Sequence, residues 1–159
     1  MTMTAAEAEE LAALVKKTKL TFGVMHTYVG YPMVKLARDL VARGDLGKIA
    51  KVVVQYPQGW MRRVDPKKTT VERLRWRMNP KTSGISGCMA DIGTHAANLA
   101  EYVTGLKNRE VLAELTSFVG GALDDDGNVL VHLSFIHISE PTQPYQSLYA
   151  ILCLQEKTE

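Results

Sequence analysis

The residues best suited to chemistry in this sequence lie in one stretch, GCMADIGTHAANLAEYVTG, at positions 87 to 105. A helical period of about 3.6 residues puts Asp91, His95 and Asn98 on one face. An imidazole and a carboxylate one helical turn apart are residue types that can take part in acid–base chemistry near neutral pH. The same types at this spacing are also common as a surface hydrogen-bonded pair, and the residue types alone favour that second interpretation.

Glycine is frequent where this helix begins, at Gly84, Gly87 and Gly93. Bare backbone and the partial positive charge of a helix N-terminus favour a negative or hydroxyl-rich ligand. Gly93 lies inside the predicted helix, where glycine is less stable than alanine by roughly 1 kcal/mol. We therefore expect these glycines to have a specific role at the start of the helix.

The composition narrows the class of protein. The chain has 159 residues, 46% of them hydrophobic, which is enough for one domain with a sizeable core. A net charge of +2 with scattered basic residues argues against a nucleic-acid partner.

Cys88 and Cys153 are far apart and outside any CxxC spacing, which argues against a disulfide framework or a zinc site. This cysteine usage favours a reduced, cytoplasmic protein. No apolar run is long enough to cross a bilayer, so we expect no membrane partner.

Apolar periodicity and capping signals predict the elements that position the candidate residues. Thr4 and Glu7 form a capping box for a first helix, while Pro32 begins a second helix that Gly44 ends. The polar segment 61–86 is typical of a long ordered loop with room for one short helix. The predicted elements are helices at about 5–17, 32–43 and 88–104, and strands within LTFGVMHTYV, AKVVVQYPQGW, EVLAELTSFV and NVLVHLSFIHI.

The first of these strands raises a question of pairing. Residues 20–29 are apolar nearly throughout, which is typical of a strand buried on both faces of a parallel sheet. Such a strand needs neighbours to satisfy its backbone hydrogen bonds. We expect those neighbours to lie outside this sequence.

Five segments, in this order, carry a resemblance to a known family: TMTAAEAEEL, FGVMHTYVGYPMVKLARDLVARGDLGKI, RWRMNP, SGCMADIGTH and LAEYVTGL. Together they resemble the glucose-fructose oxidoreductase and inositol dehydrogenase family, Gfo/Idh/MocA, over about residues 1 to 132. The resemblance implies a fold class of α/β plus α+β. The last helix-strand-helix of a Rossmann domain would be followed by part of a substrate domain with a mostly antiparallel sheet.

The family's organisation also implies how the chain divides. Residues 1–47 would be the C-terminal remnant of the dinucleotide-binding domain, and residues 48–132 a partial substrate and oligomerisation domain. In the family, a Gly-rich phosphate turn and a Glu-Lys-Pro with a catalytic lysine come before the point where this sequence begins. We therefore expect a chain truncated at both ends, which would be inactive alone.

The same resemblance assigns roles by position. DIGTH makes His95 the proton acceptor and Asp91 its orienting neighbour, and Gly93 leaves space for the close approach of a ligand or of backbone. His26 and Tyr28 would lie at the nicotinamide of NAD or NADP, with a role in the core as an equal alternative. Thr27 replaces an asparagine that is frequent in the family, so a cofactor contact at that position is not expected.

Substrate contacts are expected from Trp76 and Arg77 of RWRMNP, for which a packing role is the alternative, and from Asn98, where many members have an acid. The acidic run 124–126 is typical of a solvated turn rather than a metal site, and we expect no bound metal. His132 is expected to face solvent on its strand.

Residues 133–159, at the end of the sequence, do not share the resemblance to this family. LSFIHISEPTQ, residues 133–143, resembles LSLIHISEPTR, the translation of a transposase end used in sequencing libraries, and YAILCLQEK resembles a second adapter. We expect residues 133–159 to be a non-native tail, with a divergent natural tail as the alternative.

These inferences together predict a fragment of a nicotinamide-dependent oxidoreductase that transfers a hydride between NAD(P) and a sugar or polyol hydroxyl. Its partners would be the small-molecule substrate and a second copy bound through the sheet. An NAD-dependent glycosidase of the same family and a non-catalytic dimerisation module are the alternatives.

Overall fold

A computed structural model of the chain describes residues 2–57, 59, 76–134 and 148–153. Within these ranges, 3-10 turns occur at Thr27–Gly30 and Trp76–Met78, and a π-helical turn at Met89–Gly93. The helices and strands are α1 (Ala5–Thr18), α2 (Pro32–Ala42), β1 (Ile49–Gln55), α3 (Pro80–Ser83), α4 (Thr94–Thr104), β2 (Lys107–Thr116), β3 (Asp126–Ser134) and β4 (Leu148–Cys153).

Helix α1 begins as the sequence predicts. The Thr4 hydroxyl accepts a hydrogen bond from the Glu7 amide at 3.2 Å, and the Glu7 carboxylate accepts one from the Thr4 amide at 3.4 Å. The helix ends at Lys19, which has a left-handed backbone with φ of 59°. No residue of α1 is buried, so local capping rather than packing defines this helix.

The strand predicted within residues 20–29 is not formed. Residues 19–26 have no regular secondary structure, and Thr27–Gly30 form a 3-10 turn instead. Leu20, Phe22 and Met25 are exposed. The prediction is wrong for this chain because the described residues provide no neighbouring strand to complete the ladder, and an unpaired extended segment is not a β-strand.

The buried core lies between α2 and α4. Val34 of α2 packs with Leu99 and Val103 of α4, and Leu99 has no exposed surface. Val54 of β1 contacts the same cluster. Burial of each such side chain stabilises the fold by about 1.5–3 kcal/mol, so this contact fixes α4 relative to α2 and to the end of β1.

Two short sheets complete the described part of the chain. β2 and β3 form an antiparallel pair in which Leu112 lies opposite Leu130, so the two strands predicted in this part of the chain are present and pair with each other. β1 pairs with β4 in parallel. β4 falls within the segment expected to be a non-native tail, for which the sequence predicted no strand. An apolar segment readily pairs with the open edge of a strand, so this pairing is compatible with either origin of the tail.

The helix predicted over residues 88–104 contains an irregularity. Its first part, Met89–Gly93, is a π turn in which the Thr94 amide donates to the Met89 carbonyl, and α4 then continues to Thr104. Gly105, with φ of 74°, ends the helix as predicted. The polar segment before it contains the short helix α3, while residues 61–75 of that predicted loop lie outside the described residues.

Asp124 holds the start of this helix to the β2–β3 connection. Its carboxylate accepts hydrogen bonds from the Gly87 amide at 2.7 Å and the Met89 amide at 3.0 Å. The Cys88 amide donates to the Asp124 carbonyl at 3.0 Å. A Cβ atom at Gly87 would overlap that carbonyl oxygen, so the close approach requires glycine.

We predict that Gly87→Ala destabilises the chain by about 1–3 kcal/mol, because the added methyl overlaps backbone that cannot move without breaking the Asp124 contacts. Urea unfolding followed by circular dichroism measures the change. Gly23→Ala is the matched control, since a Cβ there meets nothing within 4 Å. Equal midpoints for the two variants would contradict the assigned role of Gly87.

Candidate functional site

Three aromatic rings meet beside α4. The His95 ring centroid lies 5.3 Å from that of His26 and 4.9 Å from that of Tyr28, both in edge-to-face geometry. Tyr28 belongs to the 3-10 turn that follows the irregular segment 19–26, whereas His95 lies in the first turn of α4. The structure therefore brings together His95, His26 and Tyr28, three of the residues singled out from the sequence.

Three buried polar atoms near this cluster lack a hydrogen-bond partner among the described residues: Nδ1 of His26, Nδ1 of His95 and Oδ1 of Asn98. Buried polar atoms are normally paired, and an unpaired one destabilises a protein by about 1–3 kcal/mol. His95 and Asn98 are three residues apart on α4 and so share a side of the helix. Such atoms are suited to receive the polar groups of a ligand.

The pKa of His26 is lowered below its ordinary value of 6.5. Burial is the larger cause, because desolvation disfavours the charged ring, and the nearby His95 imidazole adds a smaller effect of the same sign. His26 is therefore neutral at pH 7 and can act there as either a donor or an acceptor through its two ring nitrogens.

Asp91 makes a different contact from the one expected. Its carboxylate pairs with the Arg77 guanidinium at 3.2 Å, and both side chains are a little over one-third exposed. The Arg77 guanidinium also lies 5.3 Å from the Trp76 ring centroid. The residues expected to contact the substrate, Trp76 and Arg77, thus lie against Asp91, while Nδ1 of His95 donates no hydrogen bond to the Asp91 carboxylate.

The glycines at the helix start do not expose free amides, contrary to the expectation. The amides of Gly87, Cys88 and Met89 all donate to Asp124, and the Ala90 amide donates to the Ser86 hydroxyl at 3.2 Å. These bonds satisfy the donors that a ligand would otherwise use. The anion that completes this helix N-terminus is a side chain of the protein itself.

Gly93 likewise serves packing rather than ligand approach. A Cβ atom at Gly93 would overlap the end of the Met89 side chain, and one at Gly127 would lie 2.7 Å from Met89 Sδ. Met89 therefore fills the space between the helix and β3. The close approach expected at Gly93 is thus made by the Met89 thioether rather than by a ligand or by backbone.

Asp124 and Cys88 form a coupled pair at this position. Burial by itself raises the pKa of Asp124, but hydrogen bonds from Met89, Gly87, Cys88 and Ser86 more than compensate and lower it. The Cys88 thiol donates to the Asp124 carboxylate at 3.1 Å, and burial together with that carboxylate raises the pKa of Cys88 to about 12. Asp124 is 8% exposed, so the solvated turn predicted for the acidic run is wrong at this residue.

Two residues of this region were not found from the sequence. Tyr56 follows β1 directly, and its hydroxyl accepts a hydrogen bond from the Tyr28 hydroxyl at 2.9 Å. Asp124 was seen only as part of an acidic turn. The position of Tyr56 at the end of a predicted strand was the available signal for it, whereas no local pattern distinguishes Asp124 from its two acidic neighbours.

The described ranges contain no group of three or more His, Cys, Asp or Glu side chains arranged to hold a metal ion. None of the helices described is long and apolar enough to cross a membrane. His132 is exposed, as predicted, with Nδ1 at 3.8 Å from a Glu110 carboxylate oxygen.

Comparison with known proteins identifies the family to which this chain belongs. Residues 34–137 match the family model described as the GFO/IDH/MocA C-terminal domain. The chain therefore belongs to the Gfo/Idh/MocA family. It is 30% identical over 132 residues to a Bacillus subtilis protein named uncharacterized oxidoreductase YfiI, and 30% identical over 102 residues to levoglucosan dehydrogenase of Pseudarthrobacter phenanthrenivorans. These matches cover 81% and 64% of the chain but only 33% and 24% of the relatives.

Solved structures give the same result. An inositol dehydrogenase homologue from Azotobacter vinelandii, complexed with NAD+, superimposes with a TM-score of 0.74 at 28% identity. That alignment covers 82% of this chain and 34% of the other. An oxidoreductase domain protein from Kribbella flavida gives a TM-score of 0.69 at 34% identity, over 82% of this chain and 36% of that one. The predicted family and fold class are confirmed, and the chain spans about a third of these proteins.

We predict that His95→Gln raises the pKa of His26, because an uncharged amide removes the smaller of the two causes that lower it. The value should stay below 6.5, since burial remains. Imidazole carbon and proton shifts measured by NMR against pH report it, with His132→Gln as the exposed control. An unchanged His26 titration would contradict the coupling.

The lowered pKa of His26 also determines how this residue changes the free energy of unfolding with pH. Between the folded pKa of His26 and 6.5, the unfolded chain binds more protons than the folded chain. The contribution of His26 to the free energy of unfolding is therefore complete above pH 6.5 and decreases as the pH falls through this window.

Proposed function

We propose that this chain forms part of a nicotinamide-dependent oxidoreductase that transfers a hydride between NAD(P) and a hydroxyl-bearing carbon of a sugar or polyol. The observation that carries the proposal is the group of unpartnered buried atoms at His26, His95 and Asn98. The relatives support it by name, since they include a levoglucosan dehydrogenase and an inositol dehydrogenase homologue complexed with NADH and myo-inositol. A cytoplasmic location remains a prediction from the sequence.

The donor and acceptor set suits a polyhydroxylated ligand. The two imidazole Nδ1 atoms can each accept or, in the other tautomer, donate a hydrogen bond, while the Asn98 Oδ1 atom only accepts. A sugar or polyol hydroxyl both donates and accepts, so it can satisfy either kind of atom. An apolar ligand would leave all three atoms unpaired at a free-energy penalty of about 1–3 kcal/mol each.

In the oxidation direction, His95 accepts the hydroxyl proton of the alcohol as the carbon loses its hydride. A neutral imidazole is the appropriate base for this step near neutral pH. Asn98 would bind a neighbouring hydroxyl, and Asp91 with its partner Arg77 supplies charge one turn before the base. In the reverse direction, the protonated His95 returns the proton to the carbonyl oxygen.

His26 and Tyr28, the residues expected to contact the cofactor, are suited to bind only its nicotinamide group. His26 and Tyr28 lie against the His95 ring, and the unpartnered His26 Nδ1 atom could bind the amide of a nicotinamide. Nicotinamide supplies the hydride acceptor when it is bound. The 159 residues contain no GxGxxG phosphate-binding turn, so we propose that the rest of the cofactor binds to another part of the whole protein.

We predict that His95→Ala lowers kcat of the full-length enzyme by about 10²- to 10⁴-fold, the usual contribution of a positioned general base. The assay follows nicotinamide reduction at 340 nm with myo-inositol, levoglucosan and a panel of other polyols, each with NAD and with NADP. His132→Ala, on the exposed side of β3, is the control. Undiminished turnover in His95→Ala would refute the proposed function.

The same assay separates the glycosidase alternative. A net oxidation produces one reduced cofactor for each substrate consumed. A hydrolase that oxidises its substrate only transiently returns the hydride, so hydrolysed glycoside would form without accumulation of reduced cofactor.

A role in self-association is the second candidate. Leu112 and Leu130 lie opposite each other on β2 and β3, and each is 72% exposed. Two large apolar side chains in a cross-strand pair at the surface suit an interface with a second copy of the protein. This role would accompany catalysis unless His95→Ala proves to be without effect.

We predict that Leu112→Glu shifts the full-length protein towards the monomer, because a carboxylate would be desolvated in the apolar interface. Sedimentation velocity at several concentrations measures the shift. Lys81→Glu, an exposed change on α3, is the control. The same sedimentation coefficient for both variants and the unchanged protein would argue against this interface.

A further inference from the structure

The orientation of His95 is not fixed by the means that proteins normally use. An active-site imidazole usually donates its second ring nitrogen to a carboxylate or a backbone carbonyl, which fixes the tautomer and the ring plane. Here, Nδ1 of His95 has no partner among the described residues, and the nearby Asp91 carboxylate is paired with Arg77 at 3.2 Å. The ring must be oriented by its packing.

Two rings provide that packing. His26 and Tyr28 both meet the imidazole edge to face, with interplanar angles of 88° and 78°. Tyr28 is the closer of the two, at 4.9 Å between centroids. Edge-to-face contacts are directional because of the ring quadrupole, so a rotation of the Tyr28 ring would release the His95 ring.

Tyr28 itself belongs to a 3-10 turn after residues 19–26, which have no regular secondary structure, so neither an α-helix nor a strand holds the ring. Tyr56 contacts the Tyr28 ring and can hold it in place. The two tyrosine rings lie 5.4 Å apart between centroids, and the Tyr28 hydroxyl donates to the Tyr56 hydroxyl at 2.9 Å. Tyr56 directly follows β1, and Val54 of that strand packs on the core.

We propose that Tyr56 is a positioning residue for His95. It holds the Tyr28 ring through the hydroxyl-to-hydroxyl hydrogen bond, and the Tyr28 ring in turn holds the imidazole in the plane from which it accepts the substrate proton. The catalytic part of this inference rests on the proposed function, whereas the structural part, the fixed orientation of His95, does not.

The structural part is tested on the complete 159-residue chain by NMR, with histidine and tyrosine side chains labelled. Nuclear Overhauser contacts between the Tyr28 and His95 rings should be present in the unchanged chain and lost in Tyr56→Phe, which removes one hydroxyl and keeps both rings. Signals of the buried Leu99 and Val103 verify that the variant is folded.

Tyr31→Phe is the matched control. Its ring also lies near Tyr28, at 6.2 Å, but the described residues give its hydroxyl no hydrogen bond to Tyr28. Ring contacts kept in Tyr31→Phe and lost in Tyr56→Phe support the proposal. Ring contacts unchanged in a folded Tyr56→Phe would overturn it.

The catalytic part is tested in the full-length enzyme with the substrate that supports turnover. Tyr56→Phe should lower kcat about 5- to 20-fold while KM changes by less than about twofold, because misorientation of the base affects the reacting geometry rather than binding. Tyr28→Phe should lower kcat at least as much, and the double variant should be no worse than Tyr28→Phe alone, since both substitutions break the same hydrogen bond between the two hydroxyls.

The two proposals fail in different ways. If His95→Ala leaves turnover intact, the proposed function is wrong, and the NMR result still decides the structural role of Tyr56. If His95→Ala abolishes turnover but Tyr56→Phe leaves kcat unchanged, or if the double variant shows additive losses, the positioning role of Tyr56 is overturned and the proposed function stands.

Discussion

The contact of α4 with α2 is the interaction on which the described site depends. Leu99 is completely buried against Val34, and His95 lies one turn before Leu99 on the same helix. The apolar contact therefore fixes how far the His95 ring lies from the turn that carries His26 and Tyr28. A loss of this packing would separate the rings without any change in the polar residues themselves.

The start of the helix is fixed by a second, polar constraint. Asp124 reaches from the β2–β3 connection and satisfies amides that a helix N-terminus otherwise exposes. Gly87 permits this approach because any side chain there would overlap the Asp124 backbone. The π turn at Met89–Gly93 follows directly, and such turns are frequent at functional sites because they alter which side chains share a helix face.

The candidate site has two parts, and each part contains one residue from the helical stretch Met89–Thr104. Three rings, His95, His26 and Tyr28, form a half-buried group with unpartnered nitrogen atoms. Asp91, Arg77 and Trp76 form a more exposed group held by an ion pair. His95 and Asp91 thus differ in their contacts: aromatic rings surround the imidazole, whereas a guanidinium pairs with the carboxylate.

Local sequence was sufficient for the elements whose causes are local. The capping box at Thr4 and Glu7, the proline start of α2 and the glycine end of α4 depend on residues within a few positions of each other, and all three were predicted. The family was also evident from the order of the segments, and β2 and β3 were predicted as separate strands. The strand expected at residues 20–29 failed because a strand exists only through neighbours, and none is present among the described residues.

The tertiary structure decided the contacts between residues that are distant in sequence. Asp124 reaches Gly87 across 37 positions and Tyr28 meets Tyr56 across 28, and no periodicity encodes either pairing. For the same reason the partner of Asp91 was Arg77 rather than His95. The residue types determined what chemistry this helix can perform. Which of its polar atoms are already satisfied depends on distances that arise only when the helices and strands pack together.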